Sequence, residues 1–144
     1  MTKHMTSLLK LEELGQFILS ILLFNLLDYA WWVFPTCILL PDLSMIGYLA
    51  NPKIGAWVYN FFHHKLVAII VISLGFWLDH SLLSLVGITL FGHLAMDRVY
   101  GYGLKYKEDF KSTHLGWIGT KKSSEHKYRL AVHNILYLKK EFKK

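Results

Sequence analysis

The sequence predicts an all-α integral-membrane protein: a four-helix transmembrane bundle followed by a C-terminal basic amphipathic helix. Hydrophobic residues make up 53% of the 144-residue chain and charged residues only 18%, with a mean hydropathy of +0.33. That is too apolar for a soluble domain of this size, which argues against a cytosolic enzyme. A bilayer core of roughly 30 Å needs about 20 apolar residues per helix, and the chain contains four such runs. Its basic residues flank these runs.

The four predicted spans cover residues 11–27, 29–49, 54–78 and 82–104. Short polar breaks at Asp28, at Asn51-Pro52-Lys53 and at Asp79-His80-Ser81 join antiparallel neighbours. The first span lacks a small-residue cleavage pattern and is followed at once by another, so we do not interpret it as a signal peptide. We therefore predict a transmembrane domain over residues 1–119 and a cytoplasmic tail over residues 120–144. The one cysteine, Cys37, excludes an internal disulfide.

Orientation follows from the positively charged residues, which favour cytoplasmic loops. Lysines lie at the N-terminus, in the second loop and after the fourth span, whereas the first and third loops have neither Lys nor Arg. We expect both termini to be cytoplasmic, with Trp31, Trp32 and Trp77 in an aromatic belt at the outer interface. The tail has apolar residues at helical spacing among many lysines, which predicts a helix lying on the anionic cytoplasmic leaflet or, alternatively, against another subunit. This placement explains the formal charge of +6 without nucleic acid as a partner.

Several polar residues fall inside the predicted spans, where each is a candidate functional residue. Counted from Lys53 and Lys105 as cytoplasmic edge markers, four of them lie at nearly one level, roughly 12 to 18 Å deep. These four are Asp42, His63, His93 and Asp97.

Helical periodicity brings these groups onto shared faces. His93 and Asp97 are four residues apart, and Asn60 and His63 are three apart, so each pair lies on one side of its helix. Pro41 should break the second span and start a new helix with Asp42 in its first turn. Two imidazoles and two carboxylates at one depth are a ligand set for zinc, manganese or iron.

Two other interpretations use the same residues. Histidines often donate hydrogen bonds between membrane helices, and Asp42 or Asp97 would then pair with Lys65 or Arg98 in a structural or partner-binding protein. A proton or ion carrier would need a polar route to the outer face, and residues 66–77 contain only Ser73 as a polar residue. We also expect Gly87 and Gly92, or Gly101 and Gly103, to mark close helix contacts instead of a nucleotide-binding loop, because no strand precedes them.

Several motifs resemble a family of small bacterial integral-membrane proteins catalogued only as a domain of unknown function. The likeness covers about residues 8–119 and rests on four segments in order: the Pro-Asp-Leu-Ser-Met-Ile-Gly-Tyr run at 41–48, Tyr-Asn-Phe-Phe-His at 59–63, residues 93–106, and Phe-Lys-Ser-Thr-His-Leu-Gly at 110–116. The resemblance implies a four-helix protein of the bacterial inner membrane.

The Pro41-Asp42 pair followed by histidine-bearing helices is also distantly similar to membrane-bound metal-dependent hydrolases. The chain lacks their histidine before the Pro-Asp pair and keeps only Thr113-His114 of their downstream motif. By this analogy the leading hypothesis is a metal site at Asp42, His63, His93 and Asp97 that hydrolyses a lipid-linked or membrane-soluble substrate near the cytoplasmic leaflet. In that hypothesis Arg98 neutralises an anionic group, and His114 or Asn60 assists as an acid or base.

Overall fold

The computed structural model describes residues 3–107 and 110–118, and this part of the chain is mostly helical, as the sequence predicts. Five α-helices follow one another, with a 3-10 helix between the second and third. Their bounds are α1 Lys3–Phe24, α2 Val33–Cys37, the 3-10 helix Leu40–Leu49, α3 Pro52–Phe62, α4 Lys65–Trp77 and α5 Ser81–Tyr100. The predicted amphipathic tail helix at 120–144 lies outside the described residues.

The centre of the fold is α5, which packs against both α1 and α4. Its middle is buried on every side, with Ile88 and Leu94 almost fully enclosed. Such a helix has no polar face, because neighbours cover its whole circumference. His80 caps its start by accepting a hydrogen bond from the Leu83 amide at 3.2 Å, and Gly101 ends it at a φ of +92°, a left-handed conformation that suits glycine.

Close approach of the helices explains two glycines of α5. A Cβ at Gly87 would lie 2.5 Å from the backbone nitrogen of Ile72 in α4, and a Cβ at Gly92 would lie 2.5 Å from Ser20 Oγ in α1. Neither position has room for a side chain. The prediction of close helix contacts is therefore confirmed for Gly87 and Gly92. It is wrong for Gly101, where nothing lies within 4 Å of a Cβ, and for Gly103, where a Cβ would meet His114 after the end of α5.

The segment predicted as the second span is not one continuous helix. The chain breaks before Pro41, as predicted, but it continues as a 3-10 helix instead of an α-helix. Pro35 and Pro41 both lack an N–H group, which limits continuous α-helical hydrogen bonding through this segment. The 3-10 helix packs along α3, whose first turn is capped by Asn51 Oδ1 accepting from the Ile54 amide at 2.8 Å.

The predicted third span is also divided, and our expectation of one helix over residues 54–78 is corrected. Helices α3 and α4 meet at His63-His64 with a bend of 44°. His64 Nδ1 accepts a hydrogen bond from the Leu66 amide at 3.3 Å and so caps the new helix. The break leaves His63 at the end of α3 with its side chain buried.

Within the described residues, α5 is long and apolar enough to cross a membrane, and α3 with α4 passes the same test as a bent pair. Helix α1 does not, because Lys10, Glu12 and Glu13 fall within every 18-residue stretch of it. It begins and ends earlier than the predicted 11–27 span. After α5 the chain folds back, and a short antiparallel pair joins β1 Ser112–Thr113 to β2 Gly116–Trp117.

Candidate metal centre

Four side chains from three elements meet where the 3-10 helix and α3 contact the central helix. Asp42 comes from the first turn of the 3-10 helix, His63 from the end of α3, and His93 and Asp97 from adjacent turns of α5. One ligand atom from each lies within 4.8 Å of the other three. The structure thus brings together the four residues that the depth argument grouped.

The separations between these atoms fit a single small ion. His63 Nε2 and His93 Nε2 are 3.1 Å apart, and each lies between 3.5 and 3.7 Å from Asp42 Oδ1 and Asp97 Oδ2. Four donors about 2.0–2.2 Å from a central ion at the corners of a tetrahedron are separated by about 3.3–3.6 Å. The five separations that involve a histidine nitrogen, 3.1–3.7 Å, are close to that value, and the two carboxylate oxygens lie within 4.8 Å of each other.

Neighbouring groups fix the orientation of His63. Its Nδ1 lies 2.9 Å from the Tyr59 carbonyl oxygen, so Nδ1 carries the proton and donates it. Its Nε2 lone pair then faces His93 and the two carboxylates. Metal-binding histidines typically have this arrangement, with the second nitrogen donating to a carbonyl. The Tyr59 ring also stacks on the imidazole at 3.7 Å, and its hydroxyl donates to Asp97 Oδ2 at 3.4 Å.

His93 is fully buried, and its hydrogen bonding is incomplete. Since His63 Nε2 has no proton, the 3.1 Å contact requires His93 Nε2 to donate in the absence of a cation. His93 Nδ1 is then a buried acceptor with no partner among the described residues. A cation between the two Nε2 atoms would replace this hydrogen bond with two coordination bonds.

Access to the cluster is uneven. The side chains of His63 and His93 are 3% and 0% exposed and that of Asp97 is 14% exposed, whereas Asp42 is 45% exposed. A small molecule or water would therefore reach the cluster from the side of Asp42.

Lys105 is a residue of this region that the sequence analysis used only as an edge marker. Although it follows α5 in a loop, it is buried, and its Nζ lies 3.2 Å from the centre of the Phe110 ring and 4.4 Å from that of Tyr59. Burial lowers the pKa of Lys105 to about 8, against the opposing effect of the Asp42 and Asp97 charges. In the sequence, the only sign of an ordered loop at Lys105 is that two glycines, Gly101 and Gly103, precede it.

The three predicted assisting residues lie around this loop. Asn60 Nδ2 donates to the Lys105 carbonyl at 2.8 Å, and Asn60 Oδ1 accepts from the Lys105 amide at 2.7 Å, so Asn60 holds the backbone of Lys105. His114 Nδ1 accepts from the Leu104 amide at 2.8 Å. Burial and the nearby Arg98 charge lower the pKa of His114. The acid-base roles of Asn60 and His114, and the anion-binding role of Arg98, stay predictions.

Lys65 does not pair with Asp42 or Asp97, because its ion pair is with Glu13. Lys65 Nζ binds Glu13 Oε2, and it also donates to Gln16 Oε1 at 2.6 Å, so it links α4 to α1. Asp42 and Asp97 do not rely on Lys65 for charge compensation. His4 and His80, which lie outside the cluster, are exposed.

These features define a mostly helical protein that contains a convergent group of two histidines and two aspartates. The chain belongs to the family described as Domain of unknown function (DUF4260), whose model matches residues 6–118. This confirms the family resemblance seen in the sequence. No curated protein and no solved structure matches the chain.

Proposed function

We propose that the chain is a multi-pass protein of the bacterial inner membrane that binds one divalent cation, zinc, manganese or iron, at Asp42, His63, His93 and Asp97. Its activity is hydrolysis of a lipid-linked or membrane-soluble substrate near the cytoplasmic leaflet. The observation that carries the proposal is the meeting of four ligand atoms within 4.8 Å. The separations of the imidazole nitrogens from each other and from the carboxylate oxygens, 3.1–3.7 Å, are close to those of a tetrahedral zinc site and favour zinc.

Charge supports a dication at this position. Two carboxylates together with two neutral imidazoles have a net charge of −2, which a divalent ion cancels. Unpaired charges in a poorly solvated region are costly, and a bound ion offsets that cost. Because His63 Nδ1 already carries the proton and donates it to the Tyr59 carbonyl, His63 Nε2 can bind an ion without a change of tautomer.

The uneven exposure suggests separate roles for the ligands. His63, His93 and Asp97 form the buried base, and Asp42 stands at the open side, where water and substrate enter. A divalent ion supplies Lewis acidity there, lowering the pKa of a water molecule and polarising an ester or phosphoryl oxygen. A catalytic site needs an open coordination position, which either a fifth ligand position or displacement of Asp42 would provide.

The surface supports the membrane part of the proposal. Trp31 and Trp77 are about four-fifths exposed, and Trp32 is more than half exposed. Asp28 and Asp79, from the first and third predicted loops, line one small cavity, so these loops lie at the same end of the protein. Aromatic side chains exposed beside such an end are typical of a membrane interface.

Adjacent histidines provide a matched test of metal binding. Protein purified in detergent and supplied with zinc should retain about one ion per chain, lose it in His63→Ala and keep it in His64→Ala, because His64 is exposed and caps α4. Circular dichroism should show that both variants stay helical. Absence of bound metal from the supplemented wild type would refute the metal site.

Hydrolysis is tested separately. Zinc-loaded protein in vesicles of bacterial phospholipid should release a lipid product that mass spectrometry detects, and Asp97→Asn should abolish it. Metal binding without any lipid product would refute the hydrolytic part alone.

A structural polar network is the second candidate, favoured by the direct His63–His93 hydrogen bond and the Tyr59–Asp97 hydrogen bond. It predicts that His93→Ala lowers thermal stability to the same extent with and without added zinc. The metal site predicts that zinc stabilises only the wild type, since a ligand that binds the folded state raises its stability.

A further inference from the structure

Beside the His/Asp cluster lies an apolar cavity of about 660 Å³ bounded by the 3-10 helix, α3, α4 and α5. This volume is within the range of about 300–1,000 Å³ typical of ligand pockets. The residues that line it include no charged side chain among the described part of the chain. Its chemistry therefore suits a hydrocarbon and disfavours a polar ligand, whose groups would lose their hydration unpaired.

The 3-10 helix explains why an apolar cavity lies next to a charged cluster. With three residues per turn, side chains at i and i+3 lie above one another. One row of this helix is Leu40, Leu43 and Ile46, and a second row is Pro41, Ser44 and Gly47; both rows line the cavity. The third row begins with Asp42, which joins the cluster. One helix thus separates a hydrocarbon wall from a charged wall.

The cavity and the cluster share a boundary. Pro41 and Leu43, on either side of Asp42, line the cavity, and so does Phe62, the residue before His63. The cavity wall contains two hydroxyl groups, and only one of them is hydrogen-bonded. Thr89 Oγ1 donates to the Leu85 carbonyl at 2.8 Å, whereas Ser44 Oγ is buried with no partner among the described residues. An unsatisfied buried hydroxyl, two residues from Asp42, is available to a ligand group at this boundary.

The cavity also opens toward the outside of the protein. Leu40, Leu43 and Ile46 are each more than half exposed. Exposed aliphatic side chains in a row are unfavourable in water and are covered by lipid in a bilayer.

We propose that this cavity binds one hydrocarbon chain of a lipid amphiphile, with its polar head directed to the Asp42 side of the cluster. This deepens the proposed function by naming the substrate class, and its orientation relative to the cluster rests on that function. Binding of the chain itself depends on the cavity alone.

The test uses the full-length protein in nanodiscs of dioleoyl-phosphatidylcholine, with palmitic acid that carries a diazirine in its chain as the probe. After illumination, mass spectrometry maps the labelled residues. We expect labelling of the cavity lining that unlabelled palmitic acid competes away, because binding to one site saturates. Labelling spread over the lipid-exposed surface, without competition, would overturn the proposal and indicate bulk bilayer contact only.

Two neighbours on α4 give a matched pair of variants. Val71 lines the cavity, whereas Ile70 is exposed elsewhere on the helix. Val71→Phe should lower the competed labelling by about fivefold or more by filling the cavity, and Ile70→Phe should leave it unchanged. Equal labelling in both variants would contradict the proposal. If a variant loses its helical circular dichroism, the competition result on the wild type decides alone.

Metal content measured on the same samples keeps the two proposals separate. Competed labelling in a protein that binds no metal would sustain the cavity proposal and refute the metal site. A metal-loaded protein without competed labelling would sustain the metal site and refute the cavity proposal.

Discussion

The two elements that supply the aspartates of the site differ in almost every physical respect. Helix α5 is a regular α-helix whose middle is enclosed by α1 and α4, and it holds His93 fully buried. The 3-10 helix has no buried residue, packs mainly along α3, and leaves Asp42 nearly half exposed. The central helix thus provides a fixed base for the site, and the 3-10 helix provides its open side.

This difference matters because ligand groups on well-packed helices keep their positions when an ion binds. A ligand on an exposed segment with poorer hydrogen-bond geometry is held less firmly. We therefore expect the two aspartates to contribute unequally, although their oxygens lie at similar distances from the imidazoles.

The largest expected effect is on metal affinity. Asp97→Asn should weaken zinc binding by about 100-fold or more, and Asp42→Asn by about tenfold, because loss of a buried ligand cannot be replaced by water as readily as loss of an exposed one. Competition with a fluorescent zinc chelator measures both constants. The substitution of an amide for a carboxylate preserves side-chain size, so folding should be retained.

Equal losses in the two variants would mean that the 3-10 helix holds Asp42 as firmly as α5 holds Asp97. A larger loss of zinc affinity in Asp42→Asn than in Asp97→Asn would mean that the 3-10 helix holds its ligand more firmly than α5 does.

A smaller effect is expected on stability when close contacts are filled. A Cβ at Gly87 would lie 2.5 Å from the backbone nitrogen of Ile72, and a Cβ at Gly55 would lie 2.3 Å from the Cγ atom of Tyr48, whose ring packs against Phe110. Overpacking costs about 1–3 kcal/mol, and we expect both Gly87→Ala and Gly55→Ala to be near the upper value. Thermal unfolding followed by circular dichroism measures both losses of stability.

Gly15→Ala is the control for these two substitutions. Nothing lies within 4 Å of a Cβ at this position of α1. Alanine in a helix interior is favoured over glycine by about 0.5–1 kcal/mol, so this variant should be slightly more stable than the wild type. Destabilisation by Gly15→Ala would show that these effects do not report local packing.

A separate effect, on the pH dependence of stability, concerns Lys105. Burial lowers its pKa in the folded protein from 10.5 to about 8, so between pH 8 and 10.5 the unfolded chain binds more protons than the folded one. The free energy of unfolding of the wild type should therefore increase with pH across this range relative to Lys105→Met. Unfolding measured at several pH values gives the difference. A flat difference would mean that the aromatic rings and carboxylates around Nζ fully compensate for its burial.

The sequence predicts α5 and its part of the site well because the α-helical repeat determines both. Apolar residues continue through residues 81–100, and His93 and Asp97 share a face at the α-helical spacing of four. Asp42 and His63 have the same predicted depth as these two residues because Lys53 marks a loop between two elements that reverse direction there. The break at Pro41 also follows from local chemistry.

The rest of the site depends on features that helical periodicity does not reveal. The 3-10 helix has a period of three, which places two rows of residues between 40 and 47 on the cavity and Asp42 on the cluster, and these rows do not follow α-helical periodicity. The bend at His63-His64 depends on a histidine ring accepting a backbone hydrogen bond. Lys105 is buried because Asn60, 45 residues away, binds its backbone, and such a long-range contact is not visible in local sequence.

The most direct test of the account is the zinc-edge X-ray absorption spectrum of the zinc-loaded wild-type protein. We predict nitrogen and oxygen ligands at about 2.0–2.1 Å, with the multiple-scattering signal of two histidine imidazoles that falls to one in His93→Ala. A wild-type spectrum with no imidazole signal, or one unchanged by His93→Ala, would contradict the assignment of this cluster as the metal centre.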